Sequence, residues 1–457
     1  VGHPSLVRRG LNMNMNLQNL NNKKIALLGL GVENYALLNY CLKHKVKAIF
    51  TICDMHTSGE LGEKFAMLNK YANVFWQLGS DYDHNLDRYD FVLRSPGYLL
   101  ANPKLVLAQK NNKRLIVTSP LRFFMDLCPS KNIIGVTGTK GKGTTSSLIY
   151  AILKEAKKSV YLGGNIGIAP FDFLTKLNKN SFVVLELSSF QLEDFHRSPH
   201  IAVFTNFTAE HLAPADPNNP NYHKTLKVYR EAKLNIARFQ KPNDFFVVND
   251  KLALAISDKN PVGQGRIIYF TKSDWPSQLV GSHNKENIAA AETVAQILKI
   301  SPETVAKAVK KFKGLEHRLE LVASKNNIKY YDDSFATTPE STIIALKSFT
   351  EPAILLAGGA DKGANFKALA KEIKKRVKFV ILFAGEATPR LKRDLLTAGC
   401  DSKKIKIAKS MAEAVKLANQ ESKAKDIVLL STACASFGIF KNYKERGNLF
   451  KAEVSKK

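Results

Sequence analysis

A glycine-rich segment near the middle of the chain constrains the fold more than any other feature. Gly135-Val-Thr-Gly-Thr-Lys-Gly-Lys-Gly-Thr-Thr145 follows an apolar run and precedes an amphipathic stretch that ends at Lys154. A strand, a glycine-rich turn and a helix N-terminus together form a phosphate-binding loop, because backbone N–H groups and the helix dipole converge on the anion. The predicted loop residues are Gly138, Thr139, Lys140, Gly141, Lys142, Gly143, Thr144 and Thr145.

Within this loop, Lys142 is placed to reach the outer phosphates of a nucleotide. Gly143 follows it, where the common form of the motif has Ser or Thr, so we expect Thr144 to be the Mg²⁺ ligand. The alternative interpretation of a glycine-rich segment is an ordinary tight turn.

Length and composition are those of a globular protein of two to four domains. The chain has 457 residues, of which 45% are hydrophobic and 24% charged, and it contains no apolar run near the roughly 18 residues of a membrane span. Residues 1–22 are rich in Asn and are expected to form a disordered extension. The five scattered cysteines contain no Cys-x-x-Cys pair, which indicates a reducing cytoplasm rather than a structural zinc site.

The net charge of +28 raises the question of nucleic-acid binding. Lysines are spread over segments interpreted as helical, such as Lys367–Lys378 and Lys403–Lys409, and no aromatic residues are interleaved with them. Solvated helix faces are the favoured explanation, and nucleic acid is not an expected partner. Steering of anionic substrates and a basic NTPase acting on nucleic acid remain open alternatives.

Strands alternate with helical patterns along three stretches, which predicts an α/β protein with three domains. Residues 23–127 and 314–457 are predicted to form Rossmann-like domains, and residues 128–313 a central phosphate-loop domain with a parallel sheet. The first domain contains Gly29-Leu-Gly31 and, after the next strand, Asp54, a pattern that also fits a nicotinamide oxidoreductase. Asn34 replaces the third glycine of that pattern, so the evidence for a dinucleotide is weak.

Polar residues follow the predicted strands of the central domain. Glu186 follows the run Phe182–Leu185, and Asn206 comes shortly after the run Ile201–Phe204. Ligands of parallel sheets bind beyond the carboxyl ends of the strands. We therefore expect Glu186, Asn206 and the phosphate loop to lie together.

Several further segments, in a fixed order, resemble the Mur ligase family over nearly all of the chain from Lys23 onward. They are Gly163-Gly-Asn-Ile-Gly167, Glu186-Leu-Ser-Ser-Phe-Gln-Leu-Glu193, His211, Tyr229-Arg-Glu-Ala-Lys233, His283-Asn284, His317-Arg318, Asp332-Asp-Ser334, Leu429-Leu-Ser-Thr-Ala-Cys-Ala-Ser-Phe437 and Phe440-Lys-Asn-Tyr443. The resemblance is greatest to members that add D-glutamate to UDP-N-acetylmuramoyl-L-alanine. It implies a cytoplasmic, monomeric ligase of peptidoglycan precursor synthesis that uses ATP and two Mg²⁺ ions and forms an acyl phosphate.

The resemblance also implies roles for individual residues. Lys142, His211 and Lys233 would be catalytic, with Lys233 carbamoylated, although a surface lysine is the alternative for that position. The metal ligands would be Thr144, Glu186, His211 and Lys233. ATP would contact Asn284, Arg318 and Asp332, or Asp333 in place of Asp332. Asp54, Ser95 and Gly97 would meet the uridine diphosphate, and Asn165, Ser188 and Gln191 the muramoyl-alanine. D-Glutamate would meet Thr337, Lys362, Ser436 and Tyr443.

Some segments depart from the family pattern. Relatives usually have Asp-His-x-Asp around the metal histidine, whereas this chain has Glu210-His-Leu-Ala213 followed by an insertion at 214–220. Phe335 stands where some relatives have a lysine. These departures leave open a sister ligase that adds another amino acid. Asn165 and Ser188 also fit turn or helix-cap positions. Arg318 could equally form a surface ion pair, and Lys362 could be a solvated lysine in a loop.

Overall fold

Three β-sheets, whose strands alternate with helices, organise the chain. The computed structural model describes residues 15–213, 221–255 and 262–456. The strands of the first sheet are β1 (Lys24–Leu28), β2 (Ile49–Asp54), β3 (Val74–Leu78), β4 (Phe91–Arg94) and β5 (Ile116–Thr118). They run parallel in the order β3-β2-β1-β4-β5. The helices here are α1 (Val32–Lys43), α2 (Ser58–Leu61), α3 (Glu63–Leu68), α4 (Pro103–Asn111) and α5 (Pro120–Leu127).

The second sheet is also fully parallel, with the order β11-β10-β9-β6-β8-β7. Its strands are β6 (Ile133–Thr137), β7 (Val160–Gly164), β8 (Phe182–Glu186), β9 (Ile201–Phe204), β10 (Phe245–Asn249) and β11 (Arg266–Phe270). The helices that accompany or follow it are α6 (Lys142–Glu155), α7 (Pro170–Phe173), α8 (Ser189–Leu192), α9 (Leu226–Arg238), α10 (His283–Ile297) and α11 (Pro302–Lys311).

The third sheet has the order β12-β13-β17-β14-β15-β16. Its strands are β12 (Glu320–Lys325), β13 (Ile328–Asp332), β14 (Ala353–Ala357), β15 (Val377–Phe383), β16 (Ile405–Ala408) and β17 (Ile427–Leu430). Only the β12–β13 pair is antiparallel, because Asn326 and Asn327 adopt positive φ angles of 50° and 60° and form a two-residue hairpin turn. The helices are α12 (Pro339–Lys347), α13 (Lys367–Arg376), α14 (Thr388–Thr397), α15 (Met411–Glu421) and α16 (Tyr443–Ser455).

The chain divides into two compact units. The first holds the first two sheets and Glu286–Val305, and the second holds Asp274–Lys285 and the chain from Ala306 onward, with the third sheet. In the first unit one continuous hydrophobic core serves both sheets. Phe171 packs against Tyr40 of α1 and against Phe124 of α5, so aromatic contacts tie the two sheets together.

The predicted α/β class with parallel sheets is confirmed, and the predicted strands at Phe182–Leu185, Ile201–Phe204 and Ile427–Leu430 are present. The domain boundaries stay a prediction. Among the described residues, no helix has the length and apolar character needed to cross a bilayer.

Two expectations were wrong in part. Disorder was predicted for residues 1–22, but Leu17–Leu20 form a 3-10 helix and Leu20 is fully buried, since it joins the core of the first unit. Residues 1–14 lie outside the described part of the chain. Lys403–Lys409 is not an α-helix: its first two residues belong to the 3-10 helix Ser402–Lys404, and the alternating apolar and lysine residues that follow form strand β16.

Candidate functional site

The turn between β6 and α6 has the geometry of a phosphate loop. Gly138 has a φ of +150°, and a Cβ added there would lie 2.0 Å from Thr205 Oγ1. Gly141 has a φ of +80°, and its added Cβ would lie 2.2 Å from Asn287 Oδ1. The turn is held so closely between the end of β9 and helix α10 that only glycine fits at these two positions.

Asn206, just after β9, holds the loop in shape. Its backbone carbonyl accepts a hydrogen bond from the Thr139 N–H at 2.9 Å, and its Oδ1 accepts one from the Lys140 N–H at 2.8 Å. Its Nδ2 donates to the Lys140 carbonyl at 2.9 Å, and Thr205 Oγ1 donates to the same oxygen at 2.7 Å. The strand end thereby orders the loop before any ligand binds.

Two lysine amines meet at this loop. Lys142 Nζ donates to the carbonyl oxygens of Gly138 and Thr139, both at 3.0 Å, and Lys233 Nζ donates to the Gly138 carbonyl at 2.8 Å. Lys233, on α9, is only 1% exposed, so the surface-lysine alternative was wrong. Burial, and then the charge of Lys142, hold the pKa of the Lys233 amine well below its usual range.

Glu186 ends strand β8 beside the loop strand β6, as predicted from its position. Asn165 Nδ2 donates to Glu186 Oε1 at 2.8 Å, and the Asn165 N–H donates to the Glu186 carbonyl at 2.9 Å. The buried carboxylate is therefore fixed in orientation, and its charge partly offsets the lowering of the Lys233 pKa. Thr144 lies half-buried in the first turn of α6.

His211 lies in a strained loop next to these groups. It has a φ of +57°, and its ring contacts the rings of Phe190 and Tyr229 at centroid distances of 5.2 and 5.8 Å. Its neighbour Glu210 pairs with Lys140 at 2.5 Å. Burial lowers the pKa of the His211 imidazole, and Glu210 opposes that change. The insertion at 214–220 lies outside the described residues.

In the first sheet, the predicted substrate residues lie at the carboxyl ends of β2 and β4, the two strands that flank β1. The Ser95 N–H donates to the Leu28 carbonyl at 2.9 Å, which places the turn containing Gly97 beside Gly29. Asp54 accepts a hydrogen bond from the Leu30 N–H at 2.6 Å and one from the His56 N–H at 2.9 Å. The structure thus brings the three predicted residues together, with both Asp54 oxygens engaged by the protein.

Ser188 and Gln191 form a reciprocal cap at the start of α8, as the alternative for Ser188 predicted. The Ser188 N–H donates to Gln191 Oε1 at 2.8 Å, and the Gln191 N–H donates to Ser188 Oγ at 3.2 Å. Gln191 Nε2 also donates to Glu33 Oε1, and burial raises the pKa of Glu33 to about 7. A substrate contact by Ser188 or Gln191 stays a prediction.

In the second unit, an acidic pair follows β13. Asp332 is fully buried, and its oxygens accept from the Ser334 N–H at 2.9 Å and meet His317 Nδ1 at 2.7 Å. Asp333 accepts a hydrogen bond from Ser431 Oγ at 2.8 Å, and burial raises its pKa to about 7. Because Asp332 is enclosed and engaged, this geometry weighs against a direct ribose contact, which stays a prediction.

Arg318 is not confined to the surface ion pair considered above. Its guanidinium lies 3.9 Å from the centroid of the Phe335 ring, and that ring contacts Tyr443 edge to face at 5.0 Å. Asn284 lies in the first turn of α10 and donates from Nδ2 to the Val280 carbonyl at 2.7 Å. These contacts orient Arg318, while roles in ATP binding stay predictions.

The residues predicted to bind D-glutamate surround the ends of β13, β14 and β17, which are neighbours in the third sheet. Exposed Thr337 follows Ala336, whose carbonyl accepts from the Ala433 N–H at 3.1 Å. Lys362 Nζ lies 5.5 Å from the ring centroid of Phe437, the residue next to buried Ser436. The structure therefore brings Thr337, Lys362, Ser436 and Tyr443 to one edge of this sheet, while their binding roles stay predictions.

Four residues that organise these sites were given no role from the sequence. They are Arg94, Glu193, His223 and Arg446. Arg446 is fully buried and donates to Ser334 Oγ at 2.9 Å, the Ser334 carbonyl at 2.8 Å and the Cys434 carbonyl at 3.2 Å. It joins two predicted site loops, yet an arginine in a lysine-rich helix carries no sequence signal of burial.

Comparison with known proteins agrees with this architecture. Two family models match, "Mur ligase middle domain" at residues 136–274 and "Mur ligase, glutamate ligase domain" at residues 317–434. A relative from Clostridium tetani named UDP-N-acetylmuramoylalanine–D-glutamate ligase is 34% identical, over 95% of this chain and 96% of its own. One of the same name from Acetivibrio thermocellus is 35% identical, over 95% and 97%.

Solved structures share the fold. UDP-N-acetylmuramate-alanine ligase from Thermotoga maritima has a TM-score of 0.55 at 20% identity and covers 95% of this chain and 100% of its own. MurF ligase from the same organism, solved with ADP, has a TM-score of 0.56 at 18% identity and covers 99% of each chain.

A glycine cradle with two lysines and a buried carboxylate at the end of a parallel sheet defines a phosphate-binding α/β protein. The relatives narrow this class, and the chain belongs to the Mur ligase family. The resemblance inferred from the sequence motifs is confirmed.

Proposed function

We propose that this protein is an ATP-dependent ligase that joins D-glutamate to UDP-N-acetylmuramoyl-L-alanine and releases ADP and phosphate, a step of peptidoglycan precursor synthesis. The observation that carries the proposal is the 34–35% identity to relatives named for that reaction, over 95% of the chain. The phosphate loop supports it, because formation of an acyl phosphate requires a phosphoryl group to be held against a carboxylate.

The loop supplies the charge that this transfer needs. A carboxylate and a nucleotide triphosphate repel each other, so positive groups at the transferring phosphoryl lower the barrier. Lys142 reaches the Gly138 carbonyl and carries that positive charge at the mouth of the cradle. In this proposal Lys142 binds the outer phosphates, while the strained glycines leave room for them.

Two Mg²⁺ ions fit the donors present. Thr144 and the oriented carboxylate of Glu186 offer hard oxygen ligands for one, and His211 lies on the neighbouring loop for the second. When bound, Mg²⁺ neutralises phosphate charge. Asn165 holds Glu186 through a hydrogen bond to its carboxylate.

We further propose that Lys233 is carbamoylated. An amine must be neutral to attack CO₂, and the lowered pKa of buried Lys233 favours that form. The ammonium first gives one proton to solvent, and the neutral nitrogen then forms a bond to the carbon of CO₂ and gives up a second proton. The side chain thereby changes from a cation to an anion suited to a metal. With ¹³C-labelled bicarbonate we expect a carbamate resonance in the wild type and none in Lys233→Arg; its absence from both would contradict the proposal.

Selectivity for the amino acid rests on the edge of the third sheet, where Lys362, Ser436, Thr337 and Tyr443 would meet the D-glutamate carboxylates. Phe335 stands where some relatives have a lysine, and it holds Arg318 over its ring instead. This substitution favours, as a second candidate, a sister ligase that adds a different amino acid.

Phosphate release from ATP tests the proposal. We expect release only when UDP-N-acetylmuramoyl-L-alanine and D-glutamate are both present, and no release with either substrate alone. Replacing D-glutamate by other amino acids separates the two candidates. The proposed cytoplasmic setting is supported by the five free cysteines, and the proposed monomer is tested by light scattering.

A further inference from the structure

A buried ionic network lies between the first and second sheets of the first unit. Arg94, at the end of β4, is fully buried and donates to the carbonyls of Tyr98 at 2.8 Å and Phe190 at 2.9 Å. Its guanidinium also faces Glu193 Oε2 at 3.4 Å and Asp194 Oδ1 at 3.7 Å. Because Arg94 directly precedes Ser95, the network begins at the predicted diphosphate turn.

His223 continues the network on the other side of Glu193. Its Nδ1 lies 3.6 Å from Glu193 Oε1, and its Nε2 lies 2.9 Å from Ser189 Oγ. The imidazole stacks on the Phe190 ring, with centroids 4.7 Å apart. The backbone N–H of His223 donates to the His211 carbonyl at 2.8 Å. The network therefore ends at the strained loop that carries the proposed second metal ligand.

Within the described part of the chain, Arg94 Nε, Glu193 Oε2 and His223 Nδ1 are buried without a hydrogen-bond partner. Buried charges with incomplete hydrogen bonding are commonly replaceable by apolar side chains at no loss of stability. A role in placing the loops explains why the network is built from polar and charged groups.

We propose that Glu193 is a positioning residue that holds the His211 loop in register with the Ser95–Gly97 turn, through Arg94 on one side and His223 on the other. The proposal rests on the proposed function, in which His211 binds metal. In this proposal Glu193 acts through His211 and does not contact the substrate. Loss of such partners around metal ligands lowers metal affinity or activity by about 10-fold to 100-fold.

The test uses Glu193→Leu in the full chain, because Asp194 still pairs with Arg94 in that variant. Mn²⁺ binding is measured in the presence of ADP from the electron paramagnetic resonance spectrum of free Mn²⁺. We expect the Mn²⁺ affinity to fall about tenfold, kcat to fall by a similar factor, and the KM for ATP to stay unchanged. Glu63→Leu, which replaces an exposed carboxylate on α3 of the same unit, is the matched control.

A merely structural role for Glu193 predicts a lower melting temperature with unchanged Mn²⁺ binding and kcat, and that result overturns the proposal. If the wild type itself fails to bind Mn²⁺ or to ligate D-glutamate, the proposed function falls first, which separates the two failures.

Two variants of His223 keep the proposal testable even if Glu193→Leu does not fold. His223→Asn places a polar atom where Nδ1 faces Glu193, whereas His223→Gln places one where Nε2 faces Ser189. We expect His223→Asn to retain more Mn²⁺ binding than His223→Gln. Equal binding by the two variants, or tighter binding by His223→Gln, overturns the proposal.

Discussion

Replacing buried Lys233 by methionine should change how stability depends on pH. The lysine side chain lies in the first unit, and its amine donates a hydrogen bond to the Gly138 carbonyl. Burial holds the pKa of this amine well below the value of 10.5 expected of an unfolded chain. Methionine retains most of the apolar stem and carries no ionisable group. The substitution therefore isolates the contribution of one buried amine.

The sign of the effect follows from proton binding. Between the lowered pKa of folded Lys233 and 10.5, the unfolded chain binds one proton more than the folded chain does. The free energy of unfolding of the wild type therefore gains up to about 1.4 kcal/mol from this residue per pH unit as the pH rises through that window. Below the folded pKa both states are protonated, and Lys233 adds no slope.

Urea denaturation at a series of pH values, in buffer depleted of CO₂ so that the amine is free, measures this contribution. We expect the stability of Lys233→Met relative to the wild type to fall by about 1.4 kcal/mol per pH unit in the window. Lys227→Met, an exposed lysine on the same helix, should show no such trend. A difference between Lys233→Met and wild type that stays constant with pH would refute the argument.

Three further changes test other parts of the molecule. Gly138→Ala should lower the free energy of unfolding by about 1–3 kcal/mol, because of its φ angle and the clash with Thr205, and titration calorimetry should detect no ADP binding. Gly59→Ala, where an added Cβ meets open space, is the control. Intact ADP binding by Gly138→Ala would contradict the reasoning. Asp333, with a pKa raised from 3.8 to about 7, keeps its proton in the folded state, so stability should fall by up to about 4 kcal/mol as pH rises through that range. In urea titrations Asp333→Asn should reduce the slope of the wild type by about 1.4 kcal/mol per pH unit, while buried Glu33 and Glu193, whose pKa values are also raised to about 7, keep their share. An unchanged slope would contradict the argument. Arg446→Met should lower the urea-derived stability by about 3 kcal/mol because it strands buried acceptors, and an unchanged midpoint would count against that role.

Residues at the ends of strands were well predicted from the sequence. Glu186 and Asn206 follow short apolar runs, and parallel register places both beside the phosphate loop. The positions of Gly138 and Gly141 were equally predictable, because a tight turn with positive φ angles and close neighbours requires glycine. These features depend on local pattern, and local pattern is what a sequence displays directly.

Roles that depend on burial were not predictable in this way. The enclosure of Asp332 against His317 was not predicted, and the contact of Asp332 or Asp333 with a ribose stays a prediction. Glu193 and Arg446 lie in charged stretches, and nothing near them in the chain indicates that their partners come from remote segments. Hydrogen bonds between residues more than 100 positions apart, such as Arg446 to Ser334, exist only once the sheet has formed.

The sequence by itself therefore determined the class of fold, the phosphate loop and the family, since each is encoded in short segments and in their order. Tertiary structure alone decided that Lys233 is buried beside Lys142 and that Arg94, Glu193 and His223 form one network. The physical reason is that desolvation and charge pairing depend on every neighbour in space, and those neighbours are set by packing of distant elements rather than by adjacent residues.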